Sequence, residues 1–308
     1  MEPRTLQEAV LYYSDLEVCK NLLPEVRWGD SPVCERCGSL HVKKLSTRKV
    51  WKCYDCKRQF SVIVGTIFED TKLGLDKWFV CMWMIANCKN GVSSYEIHRA
   101  LGIKQETAWF MLHRVRHAMK VGSIEKFKGT VEVDETYIGG KPRKGTLTNP
   151  NRRGTPNKRG AGTTKTIAMG ILQREGNVTA KVVLNAKRRS LVPEIREVVE
   201  PGSKVFSDSL MSYRVLSSEY DHKFVDHSKN EFVRGDVTTN TIESYWSLLK
   251  RSLKGTYISV EPFHLNRYLD EQSFRYNYRK TDDSTRFRTV LGMVAGKRLT
   301  YDELKTFG

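Results

Sequence analysis

Apolar residues between positions 239 and 254 recur at the spacing of one face of an α-helix. Their separations of three and four positions predict a helix with one side against a core. The positions of this face are Ile242, Trp246, Leu249 and Leu253. A neighbouring stripe with the same spacing carries one carboxylate followed by polar and basic side chains. That stripe consists of Glu243, Ser247, Lys250 and Lys254.

The polar stripe alone indicates no chemistry, because an ordinary solvated helix face has the same mixture of charges. Two earlier acids change the interpretation, since Asp134 and Asp208 lie in segments that are typical of strands. An acid inside a strand is unfavourable by propensity and therefore indicates a function. Together with Glu243, these acids form the kind of ligand set that two-metal phosphoryl transfer requires. Unpaired surface carboxylates are the alternative.

Alternating apolar residues predict five strands in the second half of the chain. The strands are expected at residues 129–140, 166–172, 178–184, 205–208 and 222–225. A tight turn at residues 174–177 predicts an antiparallel hairpin between the second and third strands. In the first strand Glu132 and Asp134 share a face, and Glu135 points to the other. Helices are predicted at residues 190–199 and 239–254 and from residue 262 onward.

The first half of the chain is mostly helical in its pattern. Residues 5–23 predict one or two short helices, and residues 60–67 predict a strand. Residues 76–86 are apolar nearly all round, which predicts a buried helix. No apolar run approaches the ~18 residues of a membrane span. The first four residues lack the charged-then-apolar order of a secretory signal, so we expect a cytoplasmic protein.

A capping box at Ser93 and Glu96 predicts the start of another helix, and Gly102 separates it from a helix beginning near Lys104. Two helices joined by a short glycine-containing turn predict a helix-turn-helix. The inward positions of the second helix are Ala108, Met111, Val115 and Ala118. The candidate DNA-recognition stripe consists of Trp109, His113, Arg116 and Lys120. A packing helix with a solvated basic side is the alternative.

Four of the seven cysteines form two Cys-x2-Cys pairs that are separated by fifteen residues. They are Cys34, Cys37, Cys53 and Cys56. Paired knuckles at this spacing predict one structural Zn²⁺ in a tetrahedral thiolate site, and a reducing compartment disfavours two disulfides. The basic residues between the pairs predict a short hairpin of a zinc ribbon. Its role is either structural or DNA contact, and the sequence does not favour one over the other.

The net charge of +17, from 52 basic and 35 acidic residues, indicates a polyanionic partner such as nucleic acid. A membrane surface is the alternative, but the chain has no lipidation motif. Residues 141–165 hold eight Lys or Arg and no acid, which predicts a basic loop at phosphates. In this loop and in the helix after residue 239, the residues expected to contact DNA are Arg143, Lys144, Arg152, Arg153, Lys158, Arg159, Asn240 and Lys254.

The order of these motifs resembles a known family, the bacterial insertion-sequence transposases with an N-terminal zinc ribbon, which are related to the eukaryotic Merlin elements. The resemblance extends from about Arg27 to Arg279. It rests on the set of motifs rather than on any one of them. The set comprises the four cysteines, the helix-turn-helix, and residues 133–140, 207–208, 227–236 and 239–250.

The resemblance implies an α/β fold in which a ribonuclease H-like catalytic domain, a mixed five-stranded sheet with flanking helices, follows a zinc ribbon and a helix-turn-helix domain. The implied domains are residues 1–68, 69–122 and 123–308. The implied catalytic residues are Asp134, Asp208 and Glu243, which hold two Mg²⁺ or Mn²⁺ ions, together with Lys250. Some family members have Asn at the position of Glu243, and many have His where this chain has Thr238.

The implied function is DNA transposition. The enzyme would bind terminal inverted repeats, hydrolyse the phosphodiester at the transposon ends and join the 3′ hydroxyls to target DNA. The resemblance also implies a homodimer or larger synaptic assembly on double-stranded DNA, associated with the bacterial nucleoid. Two other functions remain open: a DNA-binding regulator with an inactive transposase-derived domain, and a metal-dependent nuclease without strand transfer.

Overall fold

The computed structural model describes residues 2–45, 48–121, 125–139, 165–226, 229, 231 and 233–306. The chain divides into two compact units, one formed by Met1–Val121 with Tyr278–Gly308 and the other by Gly122–Asn277. In chain order the helices are α1 (Leu6–Tyr13), α2 (Leu16–Trp28), α3 (Leu75–Asn87), α4 (Ser94–Leu101), α5 (Gln105–Met119), α6 (Arg188–Val198), α7 (Asn240–Ser252), α8 (Leu265–Asn277), α9 (Asp283–Gly292) and α10 (Tyr301–Thr306). None of the helices in these described ranges is long and apolar enough to cross a membrane.

Within the described residues, eight strands form two sheets. The first is a three-stranded antiparallel sheet in the order β1-β2-β3, and the second has five strands in the order β6-β5-β4-β7-β8. The strands are β1 (Val42–Lys44), β2 (Trp51–Cys53), β3 (Gln59–Phe60), β4 (Thr130–Ile138), β5 (Thr166–Gln173), β6 (Val178–Val183), β7 (Lys204–Asp208) and β8 (Asp221–Val225).

The core of the first unit is an aromatic cluster that joins both ends of the chain. Phe287 of α9 lies 4.8 Å from Tyr13 of α1 between ring centroids, and 5.5 Å from Phe79 of α3. Trp83 of α3 lies 5.7 Å from Phe287. The sequence analysis predicts that residues after position 277 belong to the catalytic domain. In the structure they cluster with the first unit, because α9 buries Phe287 against α1 and α3.

The strand predicted for residues 60–67 is wrong beyond Phe60. Of the predicted strand, only Phe60 lies in a strand, the two-residue β3 that pairs with β2. The next residues form turns, in which the N–H of Val64 binds the carbonyl of Ser61 and the N–H of Thr66 binds the carbonyl of Ile63. Apolar residues in consecutive turns produced the strand-like pattern, since periodicity does not distinguish the two in a short apolar run.

The mixed five-stranded sheet of the second unit confirms the predicted α/β fold of the ribonuclease H-like type. Strands β6, β5 and β4 are antiparallel neighbours, whereas β4, β7 and β8 run parallel. Helices cover both faces. On one face α6 and the 3₁₀ segment Met211–Ser218 pack on Val131 and Val133, and on the other α7 and α8 pack on Ala168 and Leu172.

Candidate functional site

Asp134 lies in the central strand β4 and faces α7. The indole Nε1 of Trp246 donates a hydrogen bond of 3.0 Å to Oδ2 of Asp134. The neighbour of Asp134 in β5 is Gly170, and a Cβ there would lie 2.7 Å from Trp246 Cζ2 and 3.0 Å from Ile242 Cδ1. The absence of a side chain at Gly170 therefore allows α7 to approach the sheet closely enough for this bond.

Asp208 ends the parallel strand β7, next to β4. The parallel pairing of these strands ends where Glu132 meets Phe206. Asp134 and Asp208 each lie two residues beyond that pair, on adjacent strands. The Oδ1 of Asp208 also accepts a 3.0 Å hydrogen bond from the N–H of Leu210, which fixes the carboxylate at the strand end.

Glu243 lies in the first turn of α7, where its Oε1 accepts a 3.0 Å hydrogen bond from Thr239 Oγ1. Burial, followed by the charges of nearby carboxylates, raises the pKa of Asp134 well above its usual value. Those carboxylates are Glu135, Asp208 and Glu243. Asp208 and Glu243 are thus both close enough for their charges to act on Asp134, although in the described residues only the four cysteines form a metal-binding group within 4.8 Å.

Lys250 lies two turns beyond Glu243 on α7 and is exposed. Partial burial of its ammonium group lowers the pKa of Lys250, and the charges of Asp134 and Glu243 oppose that shift. Lys254 and Asn240 are also exposed. An open surface of α7 lies beside Glu243 and is formed by Asn240, Glu243, Ser244, Ser247, Leu248 and Arg251.

Glu132 was not singled out as a functional residue from the sequence, although its position in β4 on the face of Asp134 was the available signal. Its side chain is fully buried, with 0% exposure. Its Oε2 accepts hydrogen bonds from the N–H groups of Thr241 (3.0 Å) and Ile242 (2.9 Å) at the start of α7. Nε of Arg174 donates a 2.7 Å hydrogen bond to the other oxygen of Glu132.

Glu135 points to the opposite face of β4, as the strand alternation predicted. The hydroxyl of Tyr213 donates a 2.7 Å hydrogen bond to Oε2 of Glu135. Burial, with a smaller effect from the charge of Asp208, raises the pKa of Glu135 to about 7. A fourth acid, Glu135, therefore lies on the opposite face of β4, and its pKa is close to neutral pH.

The recognition stripe predicted on α5 is not a solvent-facing surface. His113 and Arg116 are 0% and 1% exposed, so neither is placed to meet DNA in this structure. The reason is that α5 packs against α3, α4 and α9, which cover more of its circumference than its apolar pattern indicates. Trp109 is partly exposed with its ring 4.3 Å from that of His113, and Lys120 is exposed. The predicted capping box of α4 is confirmed, and Gly102, which was predicted to separate the two helices, ends α4 in the left-handed conformation.

The predicted DNA contacts of the basic loop fall outside the described residues. They are Arg143, Lys144, Arg152, Arg153, Lys158 and Arg159.

The four predicted zinc ligands come together in the first sheet. Cys34 and Cys37 precede β1, Cys53 ends β2, and Cys56 follows it. The Sγ atoms of Cys34 and Cys56 lie 3.6 Å apart, as do those of Cys37 and Cys53. All four lie within 4.8 Å of one another, and tetrahedral Zn–S bonds of ~2.3 Å require sulfurs about 3.8 Å apart. The N–H of Cys56 lies 3.5 Å from Sγ of Cys53 and lowers the pKa of Cys53 to about 6, which favours the thiolate that binds metal.

Comparison with known proteins agrees with this geometry. Residues 126–277 match the family model of the ISXO2-like transposase domain, and residues 14–59 match that of the transposase zinc-ribbon domain. A transposase-like protein of Haemophilus influenzae is 36% identical over 97 residues, which cover 31% of this chain and 77% of that protein. The transposase domain and its zinc ribbon together span more than half of the chain, and the chain belongs to the family of ISXO2-like transposases.

A second relative of this transposase spans nearly its whole length. A protein in the transposable element ISH50 of Halobacterium salinarum is 24% identical over 283 residues, which cover 88% of this chain and 94% of that protein. Among solved structures, the Mos1 strand transfer complex is 11% identical and covers 64% of this chain and 75% of that chain, with a TM-score of 0.24. A TM-score this low supports no conclusion about fold or mechanism.

Proposed function

We propose that this transposase hydrolyses the phosphodiester at the ends of its element and joins the freed 3′ hydroxyls to target DNA. The observation that carries the proposal is the position of three acids on elements that contact one another. Asp134 and Asp208 lie on adjacent parallel strands, and Glu243 lies on α7, which packs on the face of β4 that carries Asp134. Acids from two strands and one helix of the same unit support phosphoryl transfer rather than an accidental surface cluster.

The acids fit divalent cations in their chemistry. Carboxylate oxygens are the ligands that Mg²⁺ and Mn²⁺ prefer, and the raised pKa of Asp134 reflects buried negative charges that bound cations would neutralise. When bound, two such ions supply activation of the attacking hydroxyl and stabilisation of the leaving oxygen. In this proposal Asp134, Asp208 and Glu243 hold the ions, and the indole of Trp246 orients the Asp134 carboxylate.

The remaining proposed contacts are with DNA. Lys250 holds a phosphate near the acids, and the strand lies along the open surface of α7, with the exposed Asn240 and Lys254 near its two ends. Trp109 and Lys120, with the zinc ribbon and the basic loop of residues 141–165, bind the inverted repeats. Two ends must be brought together for joining, so the working form is a homodimer or larger assembly. Its place of action is the bacterial nucleoid.

A cleavage and joining assay tests the proposal. The full-length protein is incubated with labelled inverted-repeat DNA, a target plasmid and Mg²⁺, and the wild type is expected to nick the ends and join them. Asp208→Asn should lower both steps at least ~100-fold, because one ligand is lost. The matched control is Asp221→Asn, which removes an exposed acid from the opposite end of the neighbouring strand β8 and should leave both steps unchanged.

Three outcomes would contradict the proposal. Intact joining by Asp208→Asn would overturn the site assignment. Binding without any cutting by the wild type would indicate a DNA-binding regulator. Cutting without joining would indicate a nuclease.

A further inference from the structure

The N-terminus of α7 is held by a buried carboxylate of the sheet. The first N–H groups of a helix have no acceptor within the helix, and its positive end favours an anion. Oε2 of Glu132 accepts two of these N–H groups, from Thr241 at 3.0 Å and Ile242 at 2.9 Å. A side chain of β4, 109 and 110 positions earlier in the chain, therefore caps α7 where a local residue usually would.

Arg174 extends this attachment to the segment that leads into α7. Its Nε donates to Glu132 Oε1 at 2.7 Å. Its two terminal nitrogens donate to the carbonyls of Asp236 (3.0 Å) and Thr238 (2.9 Å). The guanidinium also lies 4.9 Å from the ring centroid of Phe206. Three of its N–H groups are thus directed to fixed acceptors, so the position of the chain before α7 is defined by one side chain.

Glu243 follows Thr241 by two residues in the same helical turn. The two attachments of α7 to β4 are Glu132 at its first turn and Trp246, through Asp134, one turn later. Glu243 lies between them. Because both attachments end on the same face of β4, they set the distance and rotation of the helix relative to the strand that carries Asp134.

We propose that Glu132 and Arg174 are positioning residues that fix the start of α7 so that Glu243 faces Asp134. The inference rests on the proposed function for its catalytic consequence, but the attachment itself does not. A carboxylate in this buried place is stabilised because both of its oxygens are hydrogen-bonded. An apolar side chain could fill the space but would leave two helix N–H groups without an acceptor.

Amide hydrogen exchange of the full-length protein tests the attachment without DNA or metal. In Glu132→Gln the single amide oxygen can accept from Arg174 or from the helix, but not from both. Keeping the bond to the charged Arg174 turns the NH2 group towards the N–H groups of Thr241 and Ile242, donor against donor. We expect the amides of Thr241 and Ile242 to exchange at least ~10-fold faster, while that of Leu249 stays protected and shows that α7 remains folded. Unchanged exchange at Thr241 and Ile242 would overturn the inference, whatever the activity.

Kinetics of end cleavage separate positioning from a purely structural cap. Glu132→Gln and Arg174→Gln should each lower kcat about 10-fold with KM for DNA unchanged. The double variant should cost no more than one single change, because a Gln pair can restore a donor opposite an acceptor. Faster exchange with an unchanged kcat would reduce Glu132 to a helix cap and overturn the positioning claim. If the wild type cuts no DNA, the proposed function fails, whereas the exchange result still decides the attachment.

Discussion

The indole N–H of Trp246 binds the carboxylate of Asp134 at 3.0 Å, while the ring of the same residue lies over Gly170. Trp246 of α7 therefore belongs both to the core of the second unit and to the proposed active site. The orientation of Asp134 depends on how closely α7 packs on the sheet. Changes in packing should consequently alter catalysis as well as stability.

Trp246→Phe tests the indole hydrogen bond. The variant keeps an aromatic ring on the sheet but removes the donor to Asp134, so stability should fall by about 1 kcal/mol and end cleavage by roughly 10-fold. Denaturant unfolding and initial rates measure the two effects. Tyr245→Phe, on the same helix as Trp246, is the matched control. It removes a hydroxyl that is hydrogen-bonded to Ser273 of α8 at 3.0 Å. It should lose similar stability but no activity; equal rates for the two variants would contradict the role of the indole.

Gly170→Ala tests the close approach of α7 to β5. The added methyl group would be 2.7 Å from Trp246 Cζ2 and 3.0 Å from Ile242 Cδ1, so one of these buried side chains or α7 itself must shift. We expect a loss of about 1–3 kcal/mol in stability and a fall in cleavage rate. In Gly292→Ala the new Cβ would meet Val26 at an ordinary 3.8 Å, so that variant should be stable and active. A fully active Gly170→Ala would show that α7 tolerates displacement.

Asp134→Asn tests whether repulsion between Asp134 and the nearby carboxylates lowers the stability of the fold. Removing this carboxylate should raise Tm in chelator by roughly 2–4 °C, the effect of about 1 kcal/mol in a domain of this size. Added Mg²⁺ should stabilise the wild type and not the variant. Glu197→Gln, at an exposed site on α6, is the control and should respond to Mg²⁺ as the wild type does. Equal Mg²⁺ stabilisation of Asp134→Asn would count against cation binding at this acid.

Part of the pH dependence of stability without divalent cations follows from Glu135, and the raised pKa of Asp134 acts in the same direction. The pKa of Glu135 is raised from 4.5 to about 7, so the folded protein binds the proton more tightly than the unfolded chain. Stability is therefore greatest below pH 4.5 as far as this group is concerned, and it decreases as the pH rises from 4.5 to about 7. Melting temperatures between pH 4 and 8 measure the slope. Glu135→Gln should flatten it, and an unchanged slope would exclude Glu135 as its source.

Metal analysis tests the zinc ribbon. The wild type should contain one Zn²⁺ per chain, and Cys37→Ser should lose it, because three thiolates and a hydroxyl hold the ion far more weakly. Cys88→Ser lies outside the quartet and should keep the metal. Zinc retained by Cys37→Ser, or absent from the wild type, would contradict the assignment.

Local pattern was sufficient to predict the elements that carry the acids. Alternation in β4 placed Glu132 and Asp134 on one face and Glu135 on the other, and helical spacing identified the buried side of α7 at Ile242 and Trp246. These properties depend on neighbours in sequence, which the pattern contains. The zinc quartet was predictable for a similar reason, since ligand spacing is itself the signal.

Features that depend on distant partners were not predictable. The bond between Arg174 and Glu132 joins residues 42 positions apart, and nothing near either one indicates the other. Similarly, helical spacing divided α5 into faces but could not show that His113 and Arg116 would be buried. That outcome depends on how many other helices surround α5, which a single-helix pattern does not contain.

The packing of Phe287 among Tyr13, Phe79 and Trp83 has a consequence for synthesis on the ribosome. Residues 122–277 emerge as a continuous stretch and can complete their sheet while translation continues. The unit that begins the chain cannot close its aromatic core until α9, some 200 residues later, has also emerged. The second unit, residues 122–277, is therefore expected to finish folding first, although residues 1–121 of the first unit are synthesised before it.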